Sequence, residues 1–189
     1  MLSRIATSLD YSEDIDSLRF ALSLIDYNIL ELRPHFPGYP IFCFLAKIIY
    51  SLINSIQYTF SLIGGISIFL IIIFSKKIEK YLTNYDSFFV PIILFINPIL
   101  WNFSNRYMSD LFGLAILMIA LYYFLDAINN NKTTSILIFM FFISVLIGVR
   151  ISFLPFFIIP VFYLLFNSSF KILFLSFIVF IFGIAIWII

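Results

Sequence analysis

Charge is what this sequence has least of. Of its 189 residues, 11 are Lys or Arg, 10 are Asp or Glu and one is His, so 11% are charged against 63% hydrophobic and 21% aromatic. A soluble domain carries roughly a quarter charged residues. Water is therefore not the solvent this chain is built for, and a mean hydropathy of +1.12 agrees. With a net charge of +1 and its few charges scattered, a nucleic-acid partner has no support. Cysteine is nearly absent. Cys43 stands alone in an apolar run, so it forms no internal disulfide, and no CxxC or Cys/His cluster with metal-ligand spacing exists. That thiol reads as a small buried hydrophobe. A signal-peptide apolar region is missing, and so are internal repeats and any linker rich in Pro, Gly or Ser. One domain over 1–189 follows. Residues 1–38 contain no transmembrane segment and the sequence stops inside an apolar run at Ile188-Ile189, so it reads as a fragment of a longer multi-span protein.

What is present instead is long apolar runs. In lipid the backbone must satisfy its own hydrogen bonds, which leaves helices or a closed barrel. Barrel strands alternate polar and apolar residues. Residues 66–74 and 170–189 are apolar on every face, so helices win and the fold class is all-α. Apolar segments run over 41–56, 58–75, 88–101, 107–125, 134–149, 151–166 and 170–189. A crossing takes about 20 residues, with a range near 17–25. Segment 88–101 reaches that length only from Tyr85 to Phe103, and 134–149 and 151–166 read as two helices meeting at the charged turn of Arg150 or as one long broken pair. Segment 41–56 is short, holds Lys47 and Asn54 and begins Pro-Gly-Tyr-Pro, which favours an interfacial or re-entrant helix over a crossing. The expectation is a polytopic helical membrane protein with about six transmembrane helices. Residues 1–40 would form an extracytoplasmic loop with a juxtamembrane helix, and 41–189 the bundle. Lys76-Lys77-Ile78-Glu79-Lys80 is the densest basic cluster and marks the cytoplasmic side, which puts Arg106 and Arg150 outside.

The only long polar stretch precedes all this. Glu13, Asp14 and Asp16 lead into an amphipathic run from Ser17 to Leu30, followed by Arg33-Pro34-His35-Phe36-Pro37-Gly38-Tyr39-Pro40. Asp16 or Ser17 suits a helix N-cap. A carboxylate at the membrane surface also suits a general base or a metal ligand. Arg33 and His35 are cations of a kind that holds phosphate, arginine by a two-pronged contact, and a lone His among prolines also suits a structural hydrogen bond. Farther on, Arg106 precedes Asp110 by four residues, the spacing of an ion pair on one helical face. For Asp110 and Arg150 a structural ion pair or a snorkelling side chain is the plain alternative to a role in a cavity.

The string Asp16-Ser-x-Arg-Phe-Ala-Leu followed by Arg33-Pro-His-Phe-Pro-Gly-Tyr-Pro-Ile resembles the first extracytoplasmic loop of GT-C class membrane glycosyltransferases, the relatives of protein mannosyltransferases and lipid A aminoarabinose transferases. Phe36 stands where that turn has a proline. Asn97-Pro98-Ile-Leu-Trp101 with Ser109-Asp110 is similar to the family's Pro-x-x-Trp segment and following acid, and Gly148-Val149-Arg150-Ile-Ser-x-x-Pro155 looks like its Gly-x-Arg turn. The resemblance implies a transferase in the inner (cytoplasmic) membrane that moves a sugar from a polyprenyl-phosphate donor to a glycan, lipid or protein acceptor. It implies Asp16 as catalytic base and Asp110 as a second catalytic acid supporting the site or a metal. Arg33, His35, Arg106 and Arg150 would bind the donor phosphate. No cofactor is required by this reading, and a divalent metal is possible. The alternatives are a non-catalytic membrane protein of glycan export or polymerisation, or an inactive truncated remnant.

Overall fold

A backbone dissolved in lipid has only itself to hydrogen-bond with, and the computed structural model, which describes residues 2–188, is 80% helix with no strand among the described residues. Four helical stretches are long and apolar enough to cross a membrane: α4 (Ile56–Thr83), α7 (Asp110–Asn130), Thr133–Asn167, and Phe170–Trp187 of the last helix, α10 (Phe170–Ile188). The count of about six read from the sequence differs in two places. Thr133–Asn167 is helical along its length but broken once, where it folds back on itself. Phe139 and Phe157 would lie about 27 Å apart along a straight helix, yet their ring centroids are 5.7 Å apart. The reversal falls at Arg150, whose backbone is extended between α8 (Thr133–Arg150) and a 3-10 turn (Ile151–Phe157) that leads into α9 (Ile158–Asn167). The second place is residues 85–103, split into α5 (Phe89–Ile96) and α6 (Pro98–Phe103). Pro98 has no amide to continue the ladder, and the Asn97 side chain accepts from Ile99 N at 2.9 Å to start the second piece.

The centre is the α7–α8 hairpin, with α4 against α7 and α10 against α8. In lipid such contacts depend on close approach, so small residues sit at the crossings. A Cβ on Gly64 would overlap the backbone carbonyl of Ser104, and one on Gly183 would overlap the Ser144 hydroxyl. Trp187 Nε1 donates to Ser144 O at 3.3 Å, so α10 runs parallel to α8.

The helix α4 extends well beyond the apolar run and carries Lys76, Lys77 and Lys80 inside it rather than in a loop. At this end Lys76 and Lys80 pair with Asp86 at 3.1 and 3.6 Å. The buried Asp126 accepts from Tyr81, Ser135 and Asn130, with Lys132 Nζ at 3.7 Å. The arginines gather at the opposite end. There α1 (Leu2–Ala6) is fastened by Arg4, which donates to Trp101 O and Ser104 Oγ, both at 2.9 Å, and stacks on the Trp101 ring. Asn105 donates to Thr7 and Tyr107 to Leu9 O, which anchors the chain leading into α2 (Ile15–Ile25).

The short helix α3 (Pro40–Ile53) lies across this arginine end. At its start Tyr39 and Phe42 share a core cluster with Val149 of α8, while at its finish Tyr50 and Asn54 share a cavity with Gln57 and Tyr107. Val149 and Tyr107 are both at the same end of the α7–α8 hairpin, so α3 does not traverse the bundle. The two tight crossings differ in a testable way. Gly183→Ala should destabilise by about 1–3 kcal/mol and be rescued by Ser144→Gly, because that clash is with a side chain. Gly64→Ala should be equally harmful but not rescued by Ser104→Gly, because a carbonyl blocks it. Thermal unfolding of the four variants in detergent measures both, and rescue at Gly64 would show that the backbone can yield.

Candidate active site

The acidic run before α2 divides its labour by position. Asp14 is the N-cap, in extended conformation, and accepts from Ser17 N at 2.7 Å. The cap expected at Asp16 or Ser17 therefore sits two or three residues earlier, since the helix already begins at Ile15. The helix also ends sooner than the amphipathic run to Leu30. It stops at Ile25, and Asn28 and Arg33 close a small loop by pairing their backbones at 2.8 Å in both directions. Asp14 is held below the ordinary carboxylate range, first by the Ser17 amide, with the Arg106 charge among the further causes.

Relieved of capping, Asp16 turns to Arg19 and His35. Arg19 Nη1, one helical turn on, is 3.1 Å from its Oδ1, and His35 Nδ1 is 3.4 Å from the same oxygen. The other ring nitrogen of His35, Nε2, lies 3.0 Å from the Tyr39 hydroxyl. Tyr39 closes the Pro-Gly-Tyr-Pro turn in the left-handed region, at φ 47, an uncommon place for an aromatic residue. That conformation sets its ring against Phe20 and His35 in the core. Its neighbour Gly38, at φ 93, is in the range where a side chain is strained. Burial pushes the Tyr39 phenol above its usual range; Arg150 opposes this, and Asp110 and Asp16 add to it. The charges of Arg150, Asp110 and Asp16 thus all bear on the phenol that His35 contacts directly.

Arg150 reaches back from the end of α8 to the start of α7, with Nη2 2.7 Å from Asp110 Oδ1 and Nη1 donating to Ser109 Oγ at 3.3 Å. The expected Arg106–Asp110 pair does not form. Residues 104–109 are turn rather than helix, so the four-residue spacing brings nothing together. Arg106 turns instead to the N-terminal arm, with Nε 2.6 Å from Glu13 and Nη2 2.6 Å from Asp14. Glu13 is thus a partner of Arg106. Arg33 is set apart from the group: Asp26 and Glu31, each at 3.2 Å, engage it on the exposed loop.

Two buried polar atoms in this neighbourhood have no hydrogen-bond partner among the described residues, Asp110 Oδ2 and His35 Nδ1, the latter near Asp16 but unaligned. Asp16 is the most open of the group, with 43% of its side chain exposed against 26% for Asp110 and 22% for Arg150. Among the described residues no three His, Cys, Asp or Glu side chains come together as a metal site. Tyr39, Arg19 and Ser109 were not singled out in the sequence. Arg19 was signalled by its helical spacing from Asp16 and Tyr39 by following His35 at four residues, but the contact of Ser109 with Arg150 spans 41 positions and leaves no local trace.

Compared with protein-family models, curated proteins and solved structures, the chain matches none. The site stands on its geometry alone.

Removing the cap gives a direct check on this arrangement. Asp14→Ala should cost about 1 kcal/mol at neutral pH. The folded pKa of Asp14 is lowered, so its contribution is complete above the ordinary carboxylate value and disappears as pH falls through the lowered one. The gap between wild type and variant in thermal unfolding should therefore be widest at neutral pH and close in acid. A gap that widens as the pH falls would contradict the assignment.

Proposed function

We propose that this chain is a membrane glycosyltransferase of the GT-C kind, moving a sugar from a polyprenyl-phosphate donor to a glycan, lipid or protein acceptor at the outer face of the cytoplasmic membrane. The observation that supports the reading is the exposed Asp16 carboxylate, paired with Arg19 and with His35 Nδ1 3.4 Å away, at the end of the bundle where Arg150 and Asp110 meet. Asp16 accepts the proton of the acceptor hydroxyl as its oxygen bonds to the anomeric carbon. The bond from that carbon to the donor phosphate breaks, and the phosphate leaves toward Arg150 and Arg106. His35 is a positioning residue that orients Asp16 and is itself oriented by Tyr39. Asp110 positions Arg150 and keeps Oδ2 free for a donor from the ligand. Arg33, engaged on its own loop, is left out of this scheme. The segment spanning 85–103 and the two arms of the Thr133–Asn167 hairpin complete six crossings, and the lysine-rich end faces the cytoplasm.

A non-catalytic role in glycan export is the second reading. What favours it is that Arg19, Arg33, Arg106 and Arg150 each already face a carboxylate, so a phosphate has to displace one.

Membranes containing the chain, given a polyprenyl-phosphate sugar and an acceptor extract, separate the two. Asp16→Asn keeps size and hydrogen bonding and should reduce transfer by roughly 10²-fold or more, with insertion unchanged. Arg33→Gln should be nearly silent. Transfer that survives Asp16→Asn and is abolished by Arg33→Gln would overturn the assignment.

A further inference from the structure

Beside the Asp16 group, at the same end of the molecule, lies a cavity of about 530 Å³ between the N-terminal arm, α2, the junction of α3 and α4, and Tyr107. That volume is in the range of small-molecule sites, roughly 300–1,000 Å³. Its wall carries Asp10, Tyr11, Ser12, Tyr50, Asn54 and Gln57. The other polar side chains at this end are largely spent on one another, through Asp14 with Arg106, Arg33 with Asp26 and Arg150 with Asp110. These six differ. Among the described residues none of their side chains makes a hydrogen bond or ion pair within the protein, although Tyr107 next to them is fully engaged, its hydroxyl on Leu9 O and its ring stacked on Phe60.

The chemistry of the wall narrows the ligand. No Lys or Arg lines it, so a phosphate, nucleotide or acidic headgroup finds no counter-charge. A purely apolar molecule leaves a carboxylate, two amides and three hydroxyls facing it unpaired. What these groups match is a neutral molecule whose polar atoms both donate and accept. A carboxylate accepts from two neighbouring hydroxyls, Asn and Gln amides offer a donor and an acceptor each, and Ser and Tyr hydroxyls do both. The rings of Tyr11 and Tyr50 offer apolar faces beside them, the combination by which tyrosine serves half-wet sites. We infer that this cavity is a binding site for a neutral saccharide, seated by Asp10, Asn54 and Gln57 and flanked by Tyr11 and Tyr50. It does not depend on the transfer reaction assigned to Asp16.

The test uses the intact chain in lipid nanodiscs and saturation-transfer NMR with the methyl glycosides of glucose, mannose and galactose as probes, alongside inorganic phosphate and spermidine in competition. At least one glycoside should receive saturation at its ring protons, and neither phosphate nor spermidine should displace it. Asp10 is exposed and unpaired, so Asp10→Asn should leave the fold intact while weakening glycoside binding about tenfold, the scale of losing a charged hydrogen bond. Tyr50→Ala should weaken it as well. Arg33→Gln, on the exposed loop and outside both sites, should leave it unchanged, and glycoside binding that persists in a chain without transferase activity keeps the cavity and loses only the reaction. Absence of saturation on all three glycosides, displacement by spermidine or phosphate, or equal binding by wild type and the Asp10→Asn, Tyr50→Ala double variant would each overturn the inference.

Discussion

An unpaired charge in hydrocarbon costs several kcal/mol, and this constraint organises the whole molecule. Its charges collect at two ends of an apolar bundle. Lysines other than Lys47 of α3 mark one end, where Lys76, Lys80 and Lys132 meet Asp86 and Asp126. Arginines mark the other, each held by a carboxylate or, for Arg4, by a carbonyl, a hydroxyl and an indole face. Arginine suits that second end because its planar fork holds two partners at once and stays charged. Arg106 does so with Glu13 and Asp14, and Arg150 with Asp110 and Ser109.

This sorting gives the short helix α3 its importance. Had it crossed the bundle, the N-terminal polar stretch would lie with the lysines, and Asp16 would be a membrane thickness away from Arg150. Lying across one end, it begins beside Tyr39, whose phenol responds to the charges of Asp16, Asp110 and Arg150 alike. The turn before it has little freedom, with Gly38 and Tyr39 both at positive φ and the Tyr39 ring locked against Phe20. A pre-set turn of this kind holds His35 in place without help from a ligand.

The apolar elements were legible in the sequence because lipid imposes a single rule on all of them. Runs such as 107–125 and 170–189 become α7 and α10 with only their ends adjusted. Segment 41–56 becomes the 14-residue α3, shorter than the stretches long enough to cross, and Arg150 marks the place of the reversal after α8. The polar residues that gather at the arginine end were legible by type but not by pairing. Arg106 and Asp110 have helical spacing, yet the chain between them is a turn, and Arg106 finds its partners 92 and 93 positions earlier. Asp14 rather than Asp16 caps α2 because the helix starts at Ile15, a shift of two residues that frees Asp16 for His35. Contacts of this range come from packing the ends of separate helices together, and local spacing carries no record of them.

The placement of α3 across one end of the bundle is tested most directly by labelling single cysteines with an impermeant thiol reagent, in a chain carrying Cys43→Ala. Leu30→Cys lies on the polar loop before α3, where the native side chain is 96% exposed, Ser51→Cys on the exposed face near its end, and Lys77→Cys at the lysine-rich end. The structure predicts that Leu30→Cys and Ser51→Cys react from the same side of sealed vesicles and Lys77→Cys from the other. Reaction of Leu30→Cys and Ser51→Cys from opposite sides would mean that α3 crosses, and would separate Asp16 from Arg150.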